Sequence, residues 1–317
     1  MFAVPTGENS AVAVDDSDPD AWVISYITFD PLSVEKLSVE NLGNVLCATV
    51  NVQSQAVWIL GDYIQAVSRD LGQGFGVPFP QENVVPFNLQ LVGDYFYLCC
   101  GKATVWVFDR TVNQWIERLA HGPEPVIPER GPTETAGDYV ERTYPIMDRY
   151  ARENPDAYAA FACGDAHYVI GALGRIVRFR GDEVNELWLD SGARLIHGFE
   201  ENNQAVICAD RPRAEIYKGT FEDGFELLYA NDETALHLTA QHKGKRYIGA
   251  GQDEKYEGPA LFELKGDELV VVETGCAREP VNLIQLVSEG DVLWAIDSAG
   301  FFRLKDGGWT LTELSAL

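Results

Sequence analysis

The sequence predicts an all-β fold, a β-propeller of seven four-stranded blades with six as the alternative count. Three observations predict it. A unit of strand, glycine turn and strand is clearest as Leu293-Trp-Ala-Ile-Asp-Ser-Ala-Gly300-Phe-Phe-Arg-Leu304, and weaker copies recur back to the N-terminus. Equivalent strands are about 36 to 46 residues apart, with one doubled gap, close to the period of propeller blades. Gly-Asp, Gly-Gly and Asn-Asn pairs recur between short apolar runs, where hairpin turns need the positive φ that Gly and Asn adopt at little cost. A four-stranded antiparallel sheet cannot bury both faces alone, so repeated sheets stack radially.

In chain order, the first unit offers strands at 11–14, 21–29 and 37–40, with a poorly defined second half. The second has 45–50, 56–61 and 63–67, and the third 88–92, 95–99, 103–108 and 114–118. The fourth repeats that order at 158–163, 167–171, 175–179 and 184–189, with Gly164-Asp165 and Gly181-Asp182 as turns. The fifth runs through 194–199, 205–208, 214–217 and 225–229, the sixth through 235–239, 246–249, 260–264 and 269–273, and the seventh through 283–287, 292–296, 301–304 and 309–312. The repeat takes residues 1–317 into one propeller domain, where length alone would suggest two.

Hydrophobic residues make up 46% of the chain, enough for a packed core, while 49 Asp and Glu against 24 Lys and Arg give a net charge of -25. Such a surface repels phosphate backbones and anionic membranes and attracts basic proteins, so a basic protein partner is expected, and neither nucleic acid nor a membrane. The N-terminal stretch lacks a positive n-region and a long apolar h-region, which predicts a cytoplasmic protein. Cys47, Cys99, Cys100, Cys163, Cys208 and Cys276 show no zinc-ligand spacing and are expected as free thiols, mostly buried. Asp16-x-Asp18-x-Asp20 opens like a calcium loop but has Ala21 at the sixth place and Ile27 at the twelfth, so an acidic turn is expected. No nucleophile elbow, phosphate-binding glycine loop or H-E-x-x-H helix occurs, and no motif calls for a cofactor or a metal.

Units such as Leu293 to Gly307 and Tyr168-Val-Ile-Gly-Ala-Leu-Gly-Arg-Ile-Val-Arg-Phe179 resemble the propeller repeats of two-component-regulator type. The resemblance covers most of the chain and implies the propeller fold. It does not carry over a signalling role, since no effector segment follows. The G-H and W-D pairs of WD40 blades are missing, and the double glycine of kelch blades occurs only as Gly307-Gly308.

Residues 121–156 interrupt the repeat. Their first half, with Pro123, Pro125, Pro128 and Pro132, predicts extended chain, and the second predicts a short helix with Pro145 in its first turn and a stop at Asn154-Pro155. Inserts of this length are functional or disordered. The candidate partner-binding residues are therefore Tyr139, Arg142, Tyr144, Met147, Arg149 and Tyr150 of the insert. Loops joining the second and third strands add Lys102, Arg175, Arg211, Arg213 and Tyr256. The function expected is a non-catalytic protein-binding propeller, in its most specific form a cytosolic immunity- or inhibitor-type protein that neutralises a basic partner such as a toxin. The alternatives are a propeller hydrolase or lyase with axial carboxylates or His, and a sugar- or small-ligand-binding propeller with Trp58, Trp106 and Trp294 as pocket candidates.

Overall fold

In the computed structural model, which describes residues 2–15, 21–40, 47–51, 54–61, 63–68, 72–73, 77–79, 85–253 and 255–316, seven antiparallel sheets follow one another along the chain. The tripled aspartates at 16, 18 and 20 lie outside the described residues. Six sheets are four-stranded meanders in chain order: blades 1 and 3 to 7, at residues 2–40, 86–119, 157–188, 194–231, 238–271 and 285–313. In blade 2, residues 47–78, the short strands Gly72–Gln73 and Val77–Pro78 both pair with Tyr63–Ser68 and share the place of one outer strand. The count is seven, not six.

First strands of neighbouring blades lie against one another around the axis, and last strands form the rim. Burial follows this order. The second strand of blade 7, Val292–Ile296, is buried at every residue, because neighbouring strands and neighbouring blades cover it on all sides. The outermost strand, Gly308–Glu313, has no buried residue. Two-residue hairpins use the predicted chemistry: Gly164 sits at φ 62°, and Asn202 and Asn203 at 54° and 62°.

Blade 1 is more regular than its sequence suggests. Phe2–Gly7 is a full first strand, and the fourth strand is Leu32–Glu40 rather than 37–40. Pro5 hides the first from pattern reading, yet an innermost strand has one edge free of partners, where a residue without an N–H is tolerated.

Among the described residues, the ring closes without a strand shared between the two ends of the chain. Blade 7 supplies Val292, Trp294, Ile296 and Phe301 to one buried cluster, and blade 1 supplies Ala3, Ala11, Ala13, Ile27 and Phe29. Phe29 meets Trp294 edge-on at 5.1 Å and Phe301 at 5.5 Å. Arg303 covers this contact, its guanidinium 4.6 Å over Phe29 and 5.0 Å over Trp294. It donates to the Glu8 carbonyl at 2.9 Å and the Asn9 side chain at 2.6 Å. Arg178 plays the same part between blades 4 and 5, 4.2 Å over Phe221 and paired with Glu222. Both arginines are the fourth residue of a third strand, Arg175–Arg180 and Gly300–Lys305.

The insert holds one helix, α1 (Ala136–Glu153), longer than expected. Pro145 lies inside it rather than in its first turn; it removes one backbone donor, while the helix starts earlier on a capping box made by Thr135 and Asp138.

If the seam between blades 7 and 1 closes the ring, Trp294→Ala lowers unfolding free energy in urea by about 3 to 5 kcal/mol. Trp188→Ala, on the exposed rim, changes it by less than about 1 kcal/mol. Equal losses would contradict closure by this seam.

Candidate functional site

First strands begin, and loops between second and third strands turn, at the same rim of the ring. The insert leaves the last strand of blade 3, Gln114–Leu119, and enters the first strand of blade 4, Ala157–Cys163, so it emerges on this rim as well. One face therefore carries α1 and the predicted loops.

Local contacts fix the helix at both ends. The Asp138 N–H donates to Thr135 Oγ1 at 3.2 Å, and Arg142 grips Glu134 with two donors at 2.9 and 3.0 Å. Arg142 and the Gly131 N–H together hold the Glu134 carboxyl down at about 2. At the far end Asn154 donates to the Tyr150 carbonyl from its backbone at 2.9 Å and its side chain at 3.0 Å, while its Oδ1 accepts from the Gly122 N–H at 2.6 Å. Tyr150 is buried, its hydroxyl 3.0 Å from His121 Nδ1 and 3.3 Å from the Gly122 carbonyl. Tyr150 thus docks the helix on its own chain. Tyr144 and Met147 stay exposed, as does Arg149, while Tyr139 is half-buried beneath the Arg142 guanidinium.

The loop residues divide. Lys102 joins the insert: its N–H donates to Asp156 at 2.8 Å and its ammonium pairs with Glu124. Arg175 lies back along its own blade, paired with Glu186 and 5.9 Å over Trp188. Arg213 pairs with buried Glu215 at 2.9 Å. Tyr256 donates to the Pro259 carbonyl at 2.9 Å, bracing its loop. Arg211 is exposed at the mouth of a polar cavity of about 650 Å³ between blades 5 and 6, with Arg194, Asp210, His237 and Asp253 in its walls.

Sequence reasoning missed the link between these parts. Arg194 forks onto Asp210, one bond at 2.7 Å, and lies 5.7 Å over Tyr158, whose hydroxyl reaches Asp156 at 3.3 Å. With Lys102 on the other oxygen of Asp156, a polar strip runs from blade 3 to blade 5. Apart from Asp156 and Tyr158, its members are far apart in sequence, and they belong to four strand ends, so no local motif reveals them.

The axial channel has a cavity of about 500 Å³ lined by inner-strand residues including Thr49, Asn88, Gln90, His197, Thr239 and Gln285, with aliphatic side chains between them. Among the described residues that line it, none is an Asp, Glu, Lys or Arg. The expectation of axial carboxylates finds no residue in that lining; the His197 imidazole, pushed down to about 4 by burial and by nearby His237, is neutral at pH 7. No group of three or more His, Cys, Asp or Glu among the described residues is placed to hold a metal. The tryptophans proposed as a ligand pocket are packing residues: Trp294 is fully buried in the closing seam, Trp58 packs on Phe96 at 4.6 Å and Trp106 faces Phe79 at 5.8 Å. All six cysteines are free, four of them buried.

Solved structures share this architecture. The chain is similar to the WD40 β-propeller domain of Doa1, at 10% identity over 99% of this chain and 93% of that one, with a TM-score of 0.59. It is similar to a chain of the mitotic checkpoint complex, at 10% identity over 95% and 86%, with a TM-score of 0.62. The β-propeller domain of Cps50 (Swd1) from Myceliophteria thermophila matches at 14% identity over 94% and 95%, with a TM-score of 0.55. At these identities the likeness is of fold: the protein is a seven-bladed β-propeller, and the neighbours single out no repeat family. No known family's sequence profile matches the chain, and no curated protein matches it in sequence.

The half-buried imidazole of His197 makes stability depend on pH. An unfolded histidine titrates near 6.5 and His197 in the fold near 4. Between those values only the unfolded chain takes up the proton, so this contribution is complete above pH 6.5 and is lost as pH falls towards 4. A shift of that size corresponds to about 3 kcal/mol. Urea unfolding of wild type and His197→Gln is expected to show wild type losing about that much more between pH 7 and pH 4. Parallel pH profiles would refute a neutral His197.

Proposed function

We propose that this propeller is a non-catalytic protein-binding module that uses the insert-bearing face. In its most specific form it is a cytosolic immunity- or inhibitor-type protein that covers and neutralises a basic partner such as a toxin. One observation carries the reading: a helix fixed at both ends presents exposed Val140, Tyr144 and Met147 to solvent. Aromatic and Met side chains on a rigid support lose little entropy on binding and serve as interface anchors.

The charge supports a basic partner. With -25 on the chain, encounter with a cationic surface is accelerated and anionic competitors are repelled. Among the structural neighbours, one is a chain of a multi-protein assembly, the mitotic checkpoint complex, which agrees with a binding role for this fold. Among the described residues no helix is long and apolar enough to cross a membrane. The lack of charge among the described lining residues of the axial cavity favours a second reading, a small neutral ligand on the axis.

The test is affinity purification of the tagged protein from its native cell, repeated with residues 121–156 replaced by a short Gly/Ser linker. Capture of a basic protein by the full chain, lost from the folded replacement, is the expected result. An unchanged set of partners would remove the insert from the interface, and no partner for either form would shift the assignment to the channel.

A further inference from the structure

We propose that the exposed stripe of α1 seats a basic amphipathic helix presented by the partner. This rests on the protein-binding role above and adds the shape and charge of what binds.

Helix α1 has two apolar faces where a surface helix needs one. Tyr139, Thr143, Ile146 and Tyr150, spaced i, i+4, i+7 and i+11, are half-buried or buried, and Tyr150 docks this face on His121 and Gly122. Val140, Tyr144, Met147 and Ala151 repeat that spacing one residue further on and are exposed, Val140 at 58%, Tyr144 at 64% and Met147 at 46%. The second stripe runs for three turns, about 16 Å, the length over which a helix sets i, i+3/i+4 and i+7 anchors against another helix. An extended peptide has no reason to choose this surface, because the helix offers it no open backbone edge.

Charge selects the occupant. Glu141 and Asp148 border the stripe on the side away from the docked face, both on α1. Residues 121–156 contain eight acids (Glu124, Glu129, Glu134, Asp138, Glu141, Asp148, Glu153, Asp156) and four arginines (Arg130, Arg142, Arg149, Arg152). Three of the arginines are engaged within the insert: Arg130 with the Glu134 carbonyl, Arg142 with the Glu134 carboxylate and Arg152 with Asp148. The Arg152 pair is exposed and weak, so an incoming cation can replace it on Asp148 at small cost. An acidic helix would meet Glu141 and the field of a chain carrying -25, and so would a second copy of this chain.

The experiment measures fluorescence anisotropy of three synthetic peptides of α1's length on the full chain at about 0.15 M salt, where long-range steering is largely screened. One is a Leu/Lys peptide with its leucines on one helical face, the second an isomer of identical composition with the leucines dispersed, and the third a Leu/Glu counterpart of the first. The amphipathic Leu/Lys peptide is expected to bind on the order of tenfold tighter than its isomer. Tyr144→Ser/Met147→Ser is expected to abolish that preference while leaving binding of the isomer unchanged. Both positions are exposed, and Tyr144→Ser alone serves if the pair disturbs the fold. Equal binding of the two Leu/Lys peptides, or a preference that survives the substitutions, would overturn the proposal. So would a Leu/Glu peptide that binds as tightly, or a wild-type dimer in sedimentation that Tyr144→Ser dissociates. Loss of a captured partner on replacing residues 121–156, combined with no peptide preference, would refute the helix while leaving the binding face intact.

Discussion

The structure depends on the contact between its first and last blades. Each blade covers one face of the next, so an open row of seven would leave two apolar faces in water, one at each end of the chain. Trp294 and Phe301 from blade 7 meet Phe29 and three alanines of blade 1, and Arg303 lies across the rings while binding the Glu8 carbonyl and Asn9. The alanines leave room for the indole, and the guanidinium satisfies backbone at a turn while its flat face packs on aromatic carbon. Arg178 on Phe221 repeats the arrangement between blades 4 and 5. The closed ring sets the rim from which the insert leaves blade 3 and enters blade 4.

Seen from that rim, the polar contacts of the insert act as a clamp. Tyr150, His121, Gly122 and Asn154 tie the neck of α1, while Lys102 and Asp156 tie blade 3 to blade 4 beside it. Several cations that the sequence marks as candidates for a partner, Lys102, Arg142, Arg175 and Arg213, are occupied by the chain's own carboxylates. They orient the surface, and the apolar residues Val140, Tyr144 and Met147 of α1 stay exposed. The channel is a contrast: the described residues lining its cavity include no carboxylate and His197 is held neutral there, because charge in a narrow low-dielectric passage would lose its hydration.

Much of the fold is legible in the sequence. Turn pairs such as Gly164-Asp165 and Asn202-Asn203 mark hairpins, and second strands such as Val292–Ile296 read as apolar runs because they are covered on both faces. Less legible are the first strand of blade 1, masked by Pro5, and the start of α1, whose signal is the Thr135–Asp138 box and not Pro145. The candidate face is legible only in part. Spacing places α1 and the loops on one rim, but whether a side chain is free depends on partners far away in sequence. Tyr150 looks like an anchor until His121 is found beside it, and the Arg194–Asp210 pair is visible only once a hairpin brings the two together.

The most direct measurement of the central claim, that a closed propeller binds protein through the face carrying α1, is site-specific photo-crosslinking in the native cell. A photoreactive residue in place of Tyr144 is compared with one in place of Val184, exposed on the outermost strand of blade 4. A discrete adduct with a basic protein is expected from position 144 and none from position 184. Adducts from position 184 alone would place the interface on the outer rim and contradict it.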